Sequence, residues 1–245
     1  MDDLTLRVTK VAAPLRQQVV DGIRRSITVG HFPAGSRLIE RDLCEAVGVS
    51  RTLIREALRQ LESEGLVKVI PNKGPVVAEI TPQQAAMLYQ VVAELVGLTC
   101  RLFVEHATPI QILRLKNAHR ELKRSYSSRD VNAVLATKTA FHELLIEGAG
   151  NEILAVVLRQ LDARAMLLGA STLLQPGRMK NSQAEIESVF QAIVRGNGED
   201  AREAAITHVT RAAEVAVKML AERASSTTGQ PLNRRVKKPR RAAVD

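Results

Sequence analysis

Arg51, Arg55 and Arg59 recur at every fourth position of one stretch, and Thr52 stands beside the first of them. At that spacing the three guanidinium groups share one face of a helix, while Ile54, Ala57, Leu58 and Leu61 form an apolar stripe on the other. Long donors with a short polar group in front, and an apolar anchor behind, suit a helix that lies in the major groove of DNA. Ser50 is a good N-cap for such a helix. The free backbone N–H groups at its start can hold a phosphate.

The surrounding elements must present that face. A first helix opens at Pro14, carries Leu15, Val19, Ile23 and Ile27 at successive four-residue spacing, and ends at Gly30. A short helix over residues 40–47 stops at Gly48, and the Ser50 helix runs to about Glu64, where Gly65 stops it. The runs 66–70 and 76–80 are β-rich and flank Pro71-Asn72-Lys73-Gly74, which predicts a hairpin. Helix, helix, turn, helix, hairpin is the order of a winged helix-turn-helix, placed at residues 1–80.

From Thr81-Pro82 the pattern is helical only. Breaks at Thr108-Pro109, residues 127–130, 148–151, 175–177 and 196–198 divide residues 81–224 into six helices with short connections. The fold class is therefore mainly α: an N-terminal winged helix-turn-helix followed by an all-α antiparallel bundle. Residues 225–245 are polar and basic and read as a disordered tail, which either adds phosphate contacts or only solubilises the end.

The net charge of +9 says little by itself. Residues 1–80 hold 12 Lys/Arg against 10 Asp/Glu, residues 81–224 hold 17 against 15, and the last 21 residues hold 6 against 1. Most of the excess lies in the tail, so the case for DNA rests on pattern. Aromatics at 2% argue against single-strand binding by base stacking. Cys44 and Cys100 have no metal-ligand or redox spacing and read as reduced thiols of a cytoplasmic protein. The N-terminus lacks an apolar signal core, and no long apolar run predicts a membrane span.

The run from Val29 to Val77 resembles the GntR family of bacterial regulators, with Gly30-x-x-Pro33-x-Gly35-x-x-Leu38, then Gly48-Val49-Ser50-Arg51-x-x-Ile54-Arg55-Glu56-Ala57-Leu58, then Glu64-Gly65-Leu66 and a glycine-tipped wing. Ala34 and Leu53 stand where the family favours proline. The resemblance implies operator contacts from Arg41, Ser50, Arg51, Thr52 and Arg55, with Asn72, Lys73 and Gly74 at the wing tip.

The helical remainder is similar to the FCD effector domain of the FadR subfamily, on Met87-Leu88-Tyr89, Ala140-Phe141-His142, Ala149-Gly150-Asn151, Ala192-Ile193, Gly196-Asn197 and His208. Many FCD domains hold a divalent metal on an Asp and a His four residues apart plus two later histidines. Here Lys138 takes the Asp position and Ile186 the first later His position, leaving His142 and His208. An ammonium and an alkyl chain offer no lone pair, so neither a metal nor another cofactor is expected. Either Lys138 presents its charge to an anionic effector in place of a metal, or it reaches solvent and the two histidines are satisfied in the core. Arg164, in phase with Val157, Leu161 and Leu168, is expected to point inward, making Lys138, His142, Arg164 and His208 the candidate effector site. The first FCD helix often supplies an arginine where Val92 stands, so that donor is absent.

The combined expectation is a homodimeric regulator, a repressor rather than an activator, that reads double-stranded operator DNA and responds to a small organic acid. An enzyme is disfavoured, since there is no nucleophile–base pair or Gly-rich phosphate loop, and His142-Glu143 lacks zincin spacing. A DNA-packaging protein driven by the tail would instead bind without sequence preference and weaken steeply with salt.

Overall fold

The structure is a computed structural model and describes residues 13–228. Its first unit contains α1 (Ala13–Thr28), α2 (Glu40–Val47), α3 (Arg51–Ser63) and the strands β1 (Val67–Ile70) and β2 (Gly74–Val77). The strands pair antiparallel, with Val67 opposite Val77 and Ile70 opposite Gly74. The segment before α2 adds to the edge of β2, through Leu38 N–H to the Pro75 carbonyl and Val77 N–H to the Ser36 carbonyl, both 2.9 Å. Val20, Ile54, Ala57, Leu61 and Leu66 are fully buried together beneath this frame. Within the predicted stripe of α1, Val19, Ile23 and Ile27 are buried, but Leu15 is 48% exposed.

The second unit contains α4 (Pro82–His106), α5 (Pro109–Ser128), α6 (Val131–Gly148), α7 (Glu152–Met166), α8 (Gly169–Leu173), α9 (Arg178–Val194) and α10 (Gly198–Thr228). Threonines begin α4 and α5 as capping boxes, Thr81 with Gln84 and Thr108 with Gln111. Helix α4 is long and apolar enough to cross a membrane by length and composition. Its Val92, Val96, Cys100 and Phe103 instead pack into the bundle core.

Two features differ from the sequence reading. The fourth predicted helix is split, because Leu167 and Leu168 N–H turn back three residues to Arg164 and Ala165 before α8 begins. The tail boundary at 225 also falls late inside α10, which runs to Thr228. Ser225 bonds its hydroxyl to the Ala221 carbonyl, and an established helix extends at little cost per residue. The rest of the predicted tail, 229–245, lies outside the described residues.

Candidate DNA interface and effector cavity

Helix α3 begins where the sequence places it. Ser50 is the N-cap and accepts a hydrogen bond from Leu53 N–H at 3.3 Å. Gly48, at φ 75°, makes the left-handed step between α2 and this cap. Ile54, Ala57, Leu58 and Leu61 are buried behind the helix, and Arg51, Thr52, Arg55 and Arg59 are exposed in front.

Arg55 Nε donates to both carboxylate oxygens of Glu40 at 2.9 and 3.1 Å, so α2 fixes the direction of that guanidinium. Arg41 lies open on α2 beside Asp42 and Glu45. At the wing, Lys73 N–H closes a turn onto the Ile70 carbonyl, with Asn72 at φ 62° and Gly74 at φ 82°. Pro71 followed by a left-handed Asn is the signature of a type II turn. Asn72 and Lys73 stand exposed at its tip. Arg37, which the sequence reading passes over, pairs with β2 at Val76, and its guanidinium lies beside Gly74.

A cavity of about 840 Å³ opens in the helical unit and reaches the reader. Lys138 and His142 face it from α6, Asp162 from α7, Arg178 from α9 and His208 from α10. Its walls are otherwise largely apolar, with Val92, Val96, Leu135, Met166 and Val209. At the reader end stand Arg24 and Glu64, joined by an ion pair of 2.7 Å. Glu64 caps the C-terminal end of α3, which ties that end of the cavity to the reading helix.

Arg178, Glu185, His208 and Lys138 form one chain at the cavity. Arg178 Nη1 donates to Glu185 at 2.8 and 3.0 Å, and both residues are 4% exposed or nearly so. His208 Nδ1 bonds the same carboxylate at 2.7 Å, and its Nε2 lies 3.3 Å from Lys138 Nζ. An ionised Glu185 can only accept, so His208 carries its proton on Nδ1 and offers Nε2 to the Lys138 ammonium.

Burial lowers the pKa of His208 to about 4, helped by the neighbouring Lys138 charge and opposed by Glu185. Burial and then Lys138 lower His142 to about 3, so both imidazoles are neutral. Lys138 falls to about 8, mainly through burial and then through Arg178. Burial alone would raise Glu185, but the bonds from His208 and Arg178 outweigh it and hold the carboxylate low. Asp162 rises to about 7, from burial first and Glu143 second.

Residues 15–77 match the model of bacterial regulatory proteins of the gntR family, and residues 87–211 match that of the FCD domain. The chain is a member of the GntR family with an FCD domain. It is 24% identical over 209 residues to the uncharacterised HTH-type regulator YdhC of Bacillus subtilis, covering 85% of this chain and 92% of the relative. It is also 24% identical over 172 residues to a probable D-xylose utilization operon repressor of Paenarthrobacter nicotinovorans, covering 69% and 73%. In fold it resembles the solved structure of Escherichia coli McbR/YncC, with a TM-score of 0.74 and 21% identity, covering 89% of this chain and all of that one. Family and relatives are transcription regulators, not enzymes.

The metal known from other FCD domains does not suit this member of the GntR family. Lys138 Nζ occupies the approach to His208 Nε2, and Ile186 is 3% exposed in the bundle core. Among the described residues no group of three or more His, Cys, Asp or Glu is placed to hold an ion.

The structure brings Lys138, His142 and His208 together but not Arg164. Arg164 is exposed, and its side chain packs over Gly65 at the end of α3. The inward face of α7 carries Leu154 and Leu158 with Leu161 beside them, whereas Val157 is 41% exposed, so of the predicted face Leu161 and Leu168 pack inward and Val157 and Arg164 do not. Arg178, which the sequence reading misses, is the inward arginine. Its spacing to Glu185, two helical turns on α9 with Ser182 between them, is a signal the sequence does contain.

Proposed function

We propose that this GntR-family protein is a cytoplasmic, homodimeric repressor whose affinity for a specific operator is set by a small organic anion. Residues 1–80 read the operator through Arg41, Ser50, Arg51, Thr52 and Arg55, with Asn72, Lys73 and Gly74 at the wing. Residues 81–224 bind the effector and dimerise. The two-fold symmetry of a dimer suits half-sites one helical turn apart, and the relative named as a repressor supports that sign of regulation.

The Lys138 ammonium carries the effector reading. It faces the cavity, its one hydrogen bond among the described residues is to a neutral imidazole, and no carboxylate lies within 4 Å of it. A charge held in that way is costly unless an anion completes it. Arg178 Nε, buried without a partner among the described residues, is a second unspent donor at the same wall.

The operator reading is tested by Arg51→Ala in a gel-shift titration on the protein's own promoter region. Arg51 is exposed and makes no bond among the described residues, so folding should persist while affinity falls by about 5- to 150-fold, the scale of one lost bidentate base contact. Unchanged affinity would remove Arg51 from the interface.

A further inference from the structure

Lys138 is not the only unsatisfied group in the cavity. Asp162 lines the same space from α7, and among the described residues it makes neither a hydrogen bond nor an ion pair. The two side chains do feel each other's charge, yet they are held too far apart to pair directly. The groups around them are committed elsewhere. Glu143 is bound by Arg159, Glu185 by Arg178 and His208, and the Tyr89 hydroxyl points at the Ala165 carbonyl at 3.4 Å. His142 is neutral and lies on the Lys138 side.

This arrangement constrains the ligand beyond its negative charge. A plain carboxylate seated on Lys138 leaves Asp162, whose carboxyl already rises to about 7, two states without a ligand donor: a second anion in an apolar cavity, or an acid that has had to take up a proton. A hydroxyl or ammonium group on the ligand, close to its acid, would remove that conflict by donating to Asp162. The remaining space is walled by Val92, Val96, Leu135, Met166 and Val209, which suits an apolar body.

Building on the anionic reading above, we infer that the effector is a carboxylic acid with an apolar body and a hydrogen-bond donor on the carbon beside the carboxylate. Its acid is held by Lys138 and its donor by Asp162. Hydroxy acids and amino acids share this chemistry. The cavity thus reads two adjacent functional groups, with the hydrophobic part filling the remainder.

Hydrocinnamate, phenyllactate and phenylalanine share one skeleton and differ only at that carbon, as hydrogen, hydroxyl or ammonium. Calorimetric titration of the full chain near neutral pH should show at least one substituted acid binding about tenfold or more tightly than hydrocinnamate, a difference of about 1.4 kcal/mol. Whether phenyllactate or phenylalanine leads identifies a hydroxy acid or an amino acid. Asp162→Leu should remove that advantage, leaving phenyllactate and phenylalanine no tighter than hydrocinnamate, which still binds, and Lys138→Met should weaken all three.

Equal affinities in the unaltered protein, or a preference that survives Asp162→Leu, overturns the inference and leaves the anionic reading standing. Neutral hydrocinnamamide binding as well as hydrocinnamate overturns the anionic reading itself. No binding by any of the three overturns both.

Discussion

The reader and the cavity both depend on cations, but they hold them in opposite ways. On α3 the arginines project from a frame whose core is Ile54, Ala57, Leu58 and Leu61, and that frame does not need them. In the cavity Lys138, Arg178 and His208 are woven through Glu185 into the packing of α6, α9 and α10. Function can therefore be removed from the reader with little change in stability. In the cavity every change to a functional group also alters the fold's free energy, and its sign depends on whether the group was already satisfied.

Glu185→Ala should produce the largest effect on folding. It strips the carboxylate from Arg178, which is 4% exposed, and from His208 Nδ1. Breaking a buried pair from one side leaves an uncompensated charge and costs about 3–5 kcal/mol. Denaturant unfolding should register that loss, whereas Arg51→Ala should stay within about 0.5 kcal/mol of the unaltered protein. A loss below about 1 kcal/mol for Glu185→Ala would mean that Glu185 is not the hub of the cavity and that the two regions are more alike than described.

The same contrast explains what the sequence could reveal. The reader is built from neighbours in the chain: a cap at Ser50, arginines on a four-residue period, and left-handed glycines at 48, 65 and 74. Local rules decide each of these. The bundle's helices are equally legible wherever Pro, Gly, Asn or a Ser/Asp cluster punctuates them, and the break after Met166 escapes the pattern because only Gly169 marks it. The cavity is assembled from α1, α3, α4 and α6 to α10, so its membership is tertiary information. Lys138, His142 and His208 were recoverable through the family resemblance. Arg164 failed because α7 carries Ile153, Leu154, Val156, Val157, Leu158 and Leu161, apolar residues almost all round, which leaves the phase of the helix undetermined by pattern.

Lys138→Met should act in the opposite direction to Glu185→Ala. Burial holds the folded pKa of Lys138 near 8, below the ordinary value of 10.5. A depressed pKa means that the unfolded chain takes up the proton first, so stability falls as pH drops from about 10.5 to 8 and stays reduced below that. The ligand-free variant should thus be more stable near neutral pH, by on the order of 1–3 kcal/mol, and the gain should vanish above about pH 10. Thermal unfolding at the two pH values measures this. A variant less stable than the parent at neutral pH would show that Lys138 is satisfied without a ligand.

Lys73→Ala probes the reader at its outer edge, where the smallest effect is expected. The turn that carries Lys73 is fixed by backbone: the bond from its N–H to the Ile70 carbonyl and the left-handed Asn72 and Gly74. Its exposed side chain contributes nothing to that geometry, so the wing should keep its shape and the Tm should not move. An ammonium at a wing tip acts on phosphate as a point charge and carries no base information. Affinity should therefore fall by a similar factor for operator and random DNA, and the slope of log K against log salt should become shallower by about one unit. If the slope is unchanged, the wing stands clear of the duplex and α3 binds without it. If operator affinity falls while random DNA is unaffected, Lys73 reads a base, and direct recognition extends from the helix to the hairpin.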